Sequence, residues 1–214
     1  ITFEAGLSAA TGTYSFWDSA LWDSAVWGPD TTFTDLSSRL LYPLTTARKF
    51  GREVAVWEAG TAQVVLNNTD DALTPDNLSG PYVVAGTSQV RPGLPVRLRA
   101  TYAGVTYPMY RGYADDIEGE WAEGSEYATV TLPCVDELAN LSAFDGLEVT
   151  PVGAGEASGT RVHRILNNAG HTGDRIIDPG RITVQATTLA GNAVSELTLV
   201  TDSEGGALYV DPDG

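Results

Sequence analysis

The chain has 214 residues, with 12 Lys and Arg against 28 Asp and Glu and a net charge of −16. That length supports one large or two small domains with a real core, and so acidic a balance excludes a surface that grips nucleic acid, which needs clustered Lys and Arg. One cysteine, Cys134, excludes an intrachain disulfide framework, two histidines, His163 and His171, argue against a zinc centre, and no apolar run approaches the roughly 20 residues of a membrane-spanning helix.

No charged-then-apolar signal pattern opens the chain. It begins Ile1-Thr2 without methionine, which reads as trimmed, processed or part of something longer. The first distinctive stretch is FWDSALWDSAVWGPD, from Phe16 to Asp30. Trp17, Trp22 and Trp27 recur every five residues, each of the first two followed by Asp-Ser-Ala. Five residues turn about 140° around a helix, so the rings share no helical face. On a strand, an odd step sends them to opposite sides. Asp-Ser pairs hydrogen-bond their own backbone and favour turns. Residues 1–35 therefore read as an aromatic N-terminal arm in which Trp17, Trp22 and Trp27 are anchors for a protein interface. The competing reading is a set of exposed rings stacking on sugars. Three copies are too few for a solenoid.

Residues 36–145 read as a β domain. Arg39 to Tyr42, Thr45 to Phe50 and Glu53 to Glu58 are weak strands. Gly60 to Leu66 is a stronger one, closed by Asn67-Asn68. Asp70 to Gly80 is turn chemistry throughout and reads as a surface loop. Pro95 to Tyr102 alternates cleanly, with Val96, Leu98, Ala100 and Tyr102 on one face and Arg97, Arg99 and Thr101 on the other. Ala103-Gly104 is a tight turn, and Val105 to Asp115 returns as the partner strand. Tyr127 to Val135 places Ala128, Val130, Leu132 and Cys134 inward, and Asp136 to Leu141 forms a short helical turn. Closely spaced short strands imply a barrel or a sandwich.

Residues 146–158 are glycine-rich with little pattern and read as a linker. Residues 159–214 then change period. Val162, Ile165, Leu166 and Ala169 make an amphipathic helix, with Ser158 as its cap and Gly170 as its end. Ile182 to Ala186 is a short strand, and a second helix runs from about Gly191 to Glu204 with Ala193, Leu197 and Val200 inward. Ala207 to Val210 reads as a strand and Asp211 to Gly214 as a hairpin turn. A turn with no returning strand implies that the polypeptide continues or that another chain supplies the partner. The predicted fold class is mainly β with a smaller α/β part.

Few residues of the chain carry chemistry. His163 lies on a helix flank, His171 beyond a helix end where it suits the C-terminal dipole, and Cys134 on an inward strand face as a small hydrophobe. Asp115, Asp116, Glu118, Glu120, Glu123 and Glu126 supply carboxylates for glycoside hydrolysis only if some of them pair across a cleft; a solvated rim is the simpler reading. Asp202, Glu204, Asp211 and Asp213 lack the spacing of a calcium loop, and Gly153-Ala-Gly155 lacks that of a phosphate loop. No catalytic residue, metal or cofactor is predicted.

Glu58-Ala-Gly-Thr-Ala-Gln-Val-Val-Leu-Asn67 with Leu73-Thr-Pro75, Pro92 to Arg99, Tyr110 to Asp115 and Glu204 to Asp211, in that order, resemble passages in minor tail proteins of phages that infect actinobacteria. The tryptophan–aspartate repeats are similar too. Such proteins are similar to the tail-tip or baseplate hub family. The resemblance implies a structural, non-enzymatic virion protein at the distal end of the tail. It also implies a homotrimer joined to distal tail and tube proteins, the tape measure and tip fibres. In that setting DNA passes without specific binding, and Asp115, Asp116, Glu118, Glu120 and Glu123 are candidates for the lumen wall. The alternative function is a carbohydrate-binding module for host glycans.

Overall fold

The computed structural model describes residues 1–8, 32–48, 50–51, 56–120, 128–145, 147 and 153–214. Among them the elements are β1 (Thr2–Ser8), β2 (Thr32–Asp35), a 3-10 turn (Ser37–Arg39), β3 (Leu40–Ala47), β4 (Phe50–Gly51), β5 (Val56–Trp57), β6 (Thr61–Asn67), β7 (Val83–Val84), β8 (Thr87–Ser88), β9 (Pro95–Tyr102), β10 (Val105–Ala114), β11 (Glu118–Glu120), β12 (Thr129–Val135), α1 (Glu137–Ala143), β13 (Glu156–Ala157), α2 (Ser158–Asn168), β14 (Thr183–Val184) and α3 (Ala193–Glu204). The protein is mainly β with a smaller α/β part. It divides into two compact units, Ile1–Thr45 with Ala62–Cys134, and Thr46–Thr61 with Val135–Gly214. Of the stretch 146–158 read as a linker, Leu147 and residues 153–158 fall in the second unit.

One large sheet carries the first unit, in the order β2-β1-β9-β10-β12-β6-β3, with β11 also on β12. β1 is antiparallel to both neighbours, Glu4 lying opposite Asp35 on one side and Arg97 on the other. Alternation decides which side chains go inward. Ala62, Val64 and Leu66 of β6, Val130, Leu132 and Cys134 of β12, and Phe3, Ala5 and Leu7 of β1 are all buried in one cluster. Val96, Leu98, Tyr110 and Ala114 join them from the β9–β10 hairpin, and Leu73, Val90 and Leu94 from loops. Among the described residues no α-helix of this unit covers that face.

The outward face has its own tie. Glu4 is only 7% exposed, and it accepts Nε and Nη2 of Arg97 at 2.9 and 3.0 Å and Nη2 of Arg99 at 2.5 Å. The Arg97 bonds, with Arg99 adding to them, hold its carboxyl below the ordinary range against the opposing effect of burial. Arg97 also lies 4.1 Å above the Phe33 ring, a cation–π contact that links β9 across β1 to β2. In the loop after β6, Asn68 is buried and completes the turn with its side chain. Its Oδ1 accepts the Leu73 amide at 2.7 Å and its Nδ2 donates to Thr74 Oγ1 at 3.0 Å. Arg39 grips Asp70 at 2.7 and 2.6 Å and draws that carboxyl down to about 2.

Several sequence expectations change here. Thr2–Ser8 and Thr32–Asp35, assigned to the arm of residues 1–35, are paired strands. Their period-2 signal (Phe3, Ala5, Leu7) is masked by the stronger five-residue period beside it. The tryptophan stretch falls in residues 9–31, outside the described residues. The weak strands at Arg39 to Tyr42 and Thr45 to Phe50 merge into β3, which ends at Ala47 before the short β4. Ala207 to Val210 has no ladder partner among the described residues and is not a strand, although the Asp211 to Gly214 turn forms through Gly214 N–H to Asp211 O at 2.9 Å.

In the second unit α1 is capped by Asp136, whose Oδ1 accepts the Leu138 amide at 3.0 Å and whose Oδ2 accepts that of Gly60 at 2.6 Å. The helix period read from sequence is the one observed. Val162, Ile165 and Leu166 of α2 and Ala193, Leu197 and Val200 of α3 form one core with Leu141, Leu147 and Leu189. α3 begins with an Asn192 cap, its Oδ1 accepting the Ser195 amide at 2.8 Å, and ends at Gly205 in the left-handed conformation, φ 68°. Ser158 is not the cap of α2. Ala157 holds that position, and the Ser158 hydroxyl donates instead to Glu204 Oε2 at 2.5 Å. Gly159 is required beside it: a Cβ there would stand 2.1 Å from the Asp178 carbonyl oxygen, well inside contact distance, so only a bare backbone lets the helix start against that loop.

Candidate interaction surfaces

The residues singled out for chemistry do not converge. His163 is exposed on α2. His171 places Nδ1 3.1 Å from Glu137 Oε1, which ties the end of α2 to α1. Cys134 is buried, its thiol pushed up to about 12 by loss of solvent, and its S–H donates to the Leu132 carbonyl at 3.4 Å. A thiol so protected from ionisation is a poor nucleophile. Glu204 is engaged by Ser158 and by the Arg181 amide. Among the described residues no group of three or more His, Cys, Asp and Glu is placed to hold a metal ion.

A cavity of about 200 Å³ in the second unit is lined by Arg48, Glu58, Asp136, Tyr209 and Val210. Burial raises the Asp136 carboxyl, although the Gly60 and Leu138 amides and the charge of Arg48 oppose the shift. Two carboxylates against one guanidinium make this cavity unsuited to an anion.

The acidic run forms a ledge. Asp115, Asp116, Glu118 and Glu120 are all exposed, and Glu123 lies outside the described residues. β11 carries Glu118 and Glu120 opposite Thr131 and Thr129 of β12. Two residues apart on one strand, these carboxylates share a face.

At the other end of the same sheet lies a surface with the opposite character. β9 and β10 form a hairpin through Ala103 and Gly104, both at positive φ, 50° and 81°, the pattern of a type I′ turn. In register, Tyr102 faces Val105 and Ala100 faces Tyr107. These side chains therefore continue the face that buries Val96 and Leu98. Ala100 is half-buried, but Tyr102 is 79% exposed, Val105 50% and Tyr107 48%, and Met109, at the bulge in β10, is 50% exposed. The register also fixes which end this is. Thr2 pairs with Arg99 near the hairpin, while Ser8, at the far end of β1, pairs with Thr32. The chain thus leaves the sheet toward the tryptophan stretch, and returns from it, at the end away from the hairpin. The acidic ledge, beyond Ala114, lies at that far end too.

Sequence alternation marked Ala100 and Tyr102 as core, which gave no reason to treat them as surface. The signal was nonetheless present: from Thr101 to Tyr110 the sequence TYAGVTYPMY has no charged residue.

No protein-family model matches the chain, and no curated protein sequence matches it. Among solved structures it is similar to a tail protein from Neisseria meningitidis MC58, with 11% identity, a TM-score of 0.49, and coverage of 86% of this chain and 47% of that one. It is also similar to the 43 kDa tail protein of prophage MuSo2 from Shewanella oneidensis, with 12% identity, a TM-score of 0.46, and coverage of 82% and 47%. The chain spans about half the length of each. Both TM-scores lie below 0.5, so neither likeness carries a functional assignment.

Proposed function

We propose that the chain is a structural component of a phage tail, placed at the distal tip as a hub or minor tail protein. In this role it assembles as a homotrimer with distal tail and tube proteins, the tape measure and tip fibres, and takes part in host attachment and DNA passage. The ordered sequence resemblance across Glu58 to Asp115 and Glu204 to Asp211 motivates the reading. The observation that carries it is the polarity of the first unit, an uncharged apolar hairpin at one end of the sheet and an acidic ledge at the other. Contact surfaces of opposite character at two ends suit a part that is built into an assembly. Catalysis instead needs groups gathered at one place.

In this reading Asp115, Asp116, Glu118, Glu120 and Glu123 face a channel. Carboxylates there repel the phosphates of a passing duplex, whereas a basic wall would bind them and slow transit. Trp17, Trp22 and Trp27 anchor the chain to a neighbouring tail protein. The triple substitution to alanine is expected to lower the yield of complete tails while the isolated chain keeps its melting temperature. Particles assembled at the normal yield would remove the tryptophans from this role.

A further inference from the structure

We infer that the tip of the β9–β10 hairpin, through Tyr102, Val105, Tyr107 and Met109, is a contact surface for a second copy of this chain. The inference deepens the structural role proposed above and takes its biological meaning from it. It rests first on a mismatch inside one element. The period-2 pattern that buries Val96 and Leu98 runs on unbroken through Ala100 and Tyr102, yet Tyr102 is 79% exposed. A stripe composed for burial and left bare in the single chain marks a surface that another chain covers.

The hairpin also outruns its neighbours. The Asp115 amide donates to the Pro133 carbonyl at 2.7 Å. Counting back along that ladder, the last residue of β12, Val135, reaches no further than Tyr113. Val105 to Met109 therefore lie past the end of β12, and every residue from Thr101 to Met109 is exposed. An uncovered apolar edge is a hazard that proteins normally blunt or cover. Pro108, at the bulge in β10, removes one amide donor from this edge. A proline there disfavours an added strand, so side chains carry the contact.

Charge and area select the occupant. A partner of opposite charge would be drawn to carboxylates, of which this chain has a large excess, and gains nothing from a stretch without charge. Two copies each carrying −16 repel one another, so they meet most easily through an uncharged patch. Burying the hairpin of one copy against the acidic ledge of another would strip water from carboxylates without pairing them. The exposed parts of Tyr102, Val105, Tyr107 and Met109 amount to on the order of 400 Å². That is about half of the ~800 Å² that each partner contributes to a stable interface. The contact is thus concentration-dependent in the isolated protein.

The test uses the purified chain. Sedimentation velocity across roughly 1 to 100 µM is expected to show reversible self-association in the concentration range that such an area supports. The pair Tyr102→Glu and Tyr107→Glu is expected to weaken it at least about tenfold with little change in melting temperature, because Tyr102 is 79% exposed and Tyr107 48%. A photoreactive phenylalanine analogue at Thr106 is expected to yield an adduct of twice the chain mass. A chain that stays monomeric at 100 µM and gives no such adduct, or one whose association survives both glutamates, overturns the inference. Either result leaves the tail role standing, since that role is tested in particles and not in the purified chain.

Discussion

Arg161→Ala is expected to destabilise the second unit by about 3 kcal/mol, near the lower bound for breaking a buried ion pair. Arg161 is 2% exposed. Its Nε donates to Glu156 Oε1, and its Nη2 donates to the carbonyls of Gly153 at 3.0 Å and Gln185 at 2.8 Å. One guanidinium thus fastens α2 to both sides of the β13–β14 pair. Its removal takes a donor from two carbonyls, of which that of Gly153 keeps the Glu156 amide at 3.3 Å, and leaves Glu156 with Arg164, 3.1 Å away, as a cationic partner. That surviving pair is why the loss falls at the low end of the range. Urea unfolding followed by helical circular dichroism measures it, and a loss below about 1 kcal/mol would mean that solvent reaches the site.

The same cluster sets an acid limit. Burial pushes the Glu156 carboxyl up, but Arg161 and Arg164 outweigh it and hold the group below its ordinary 4.5. A carboxyl lowered on folding contributes stability that is present above its unfolded pKa and is lost as pH falls through the folded one. The second unit is therefore expected to lose stability as pH drops below 4.5, and Glu156→Gln is expected to flatten that dependence.

Leu197→Ala is expected to cost about 2–5 kcal/mol. Leu197 has 0% exposure in the core shared by α1, α2 and α3. Its truncation leaves a cavity that three helices close only in part. Leu199, two residues along the same helix, is 62% exposed, and Leu199→Ala is expected to stay within about 0.5 kcal/mol. Equal losses at the two positions would show that α3 is turned differently about its axis.

The contrast between Leu197 and Leu199 is also a measure of what periodicity can tell. A 3.6-residue period distinguishes them from sequence alone, because a helix carries its own geometry wherever it sits. The strand period does the same for Val130, Leu132 and Cys134. It cannot say how far a strand extends past its neighbours, since that depends on the register of β9, β10, β1 and β12 and on the length of each. Tyr102 therefore reads as core although it is bare, and Ala100 although it is only half-buried. Ser158 shows a second limit. A serine before a helix is a reasonable cap, but Glu204, 46 residues away, competes for its hydroxyl, and only the fold brings the two together. β1 shows a third: a strand of ordinary alternation was hidden by the more conspicuous tryptophan spacing that follows it.

The acidic ledge and the hairpin give the account its functional content, and both depend on the chain being part of a tail. Labelling purified phage particles with a gold-tagged antibody against this chain tests that claim most directly. Gold is expected at the free end of the tail on intact particles. Gold on the capsid, or none on particles while the chain is recovered free in the lysate, would contradict it.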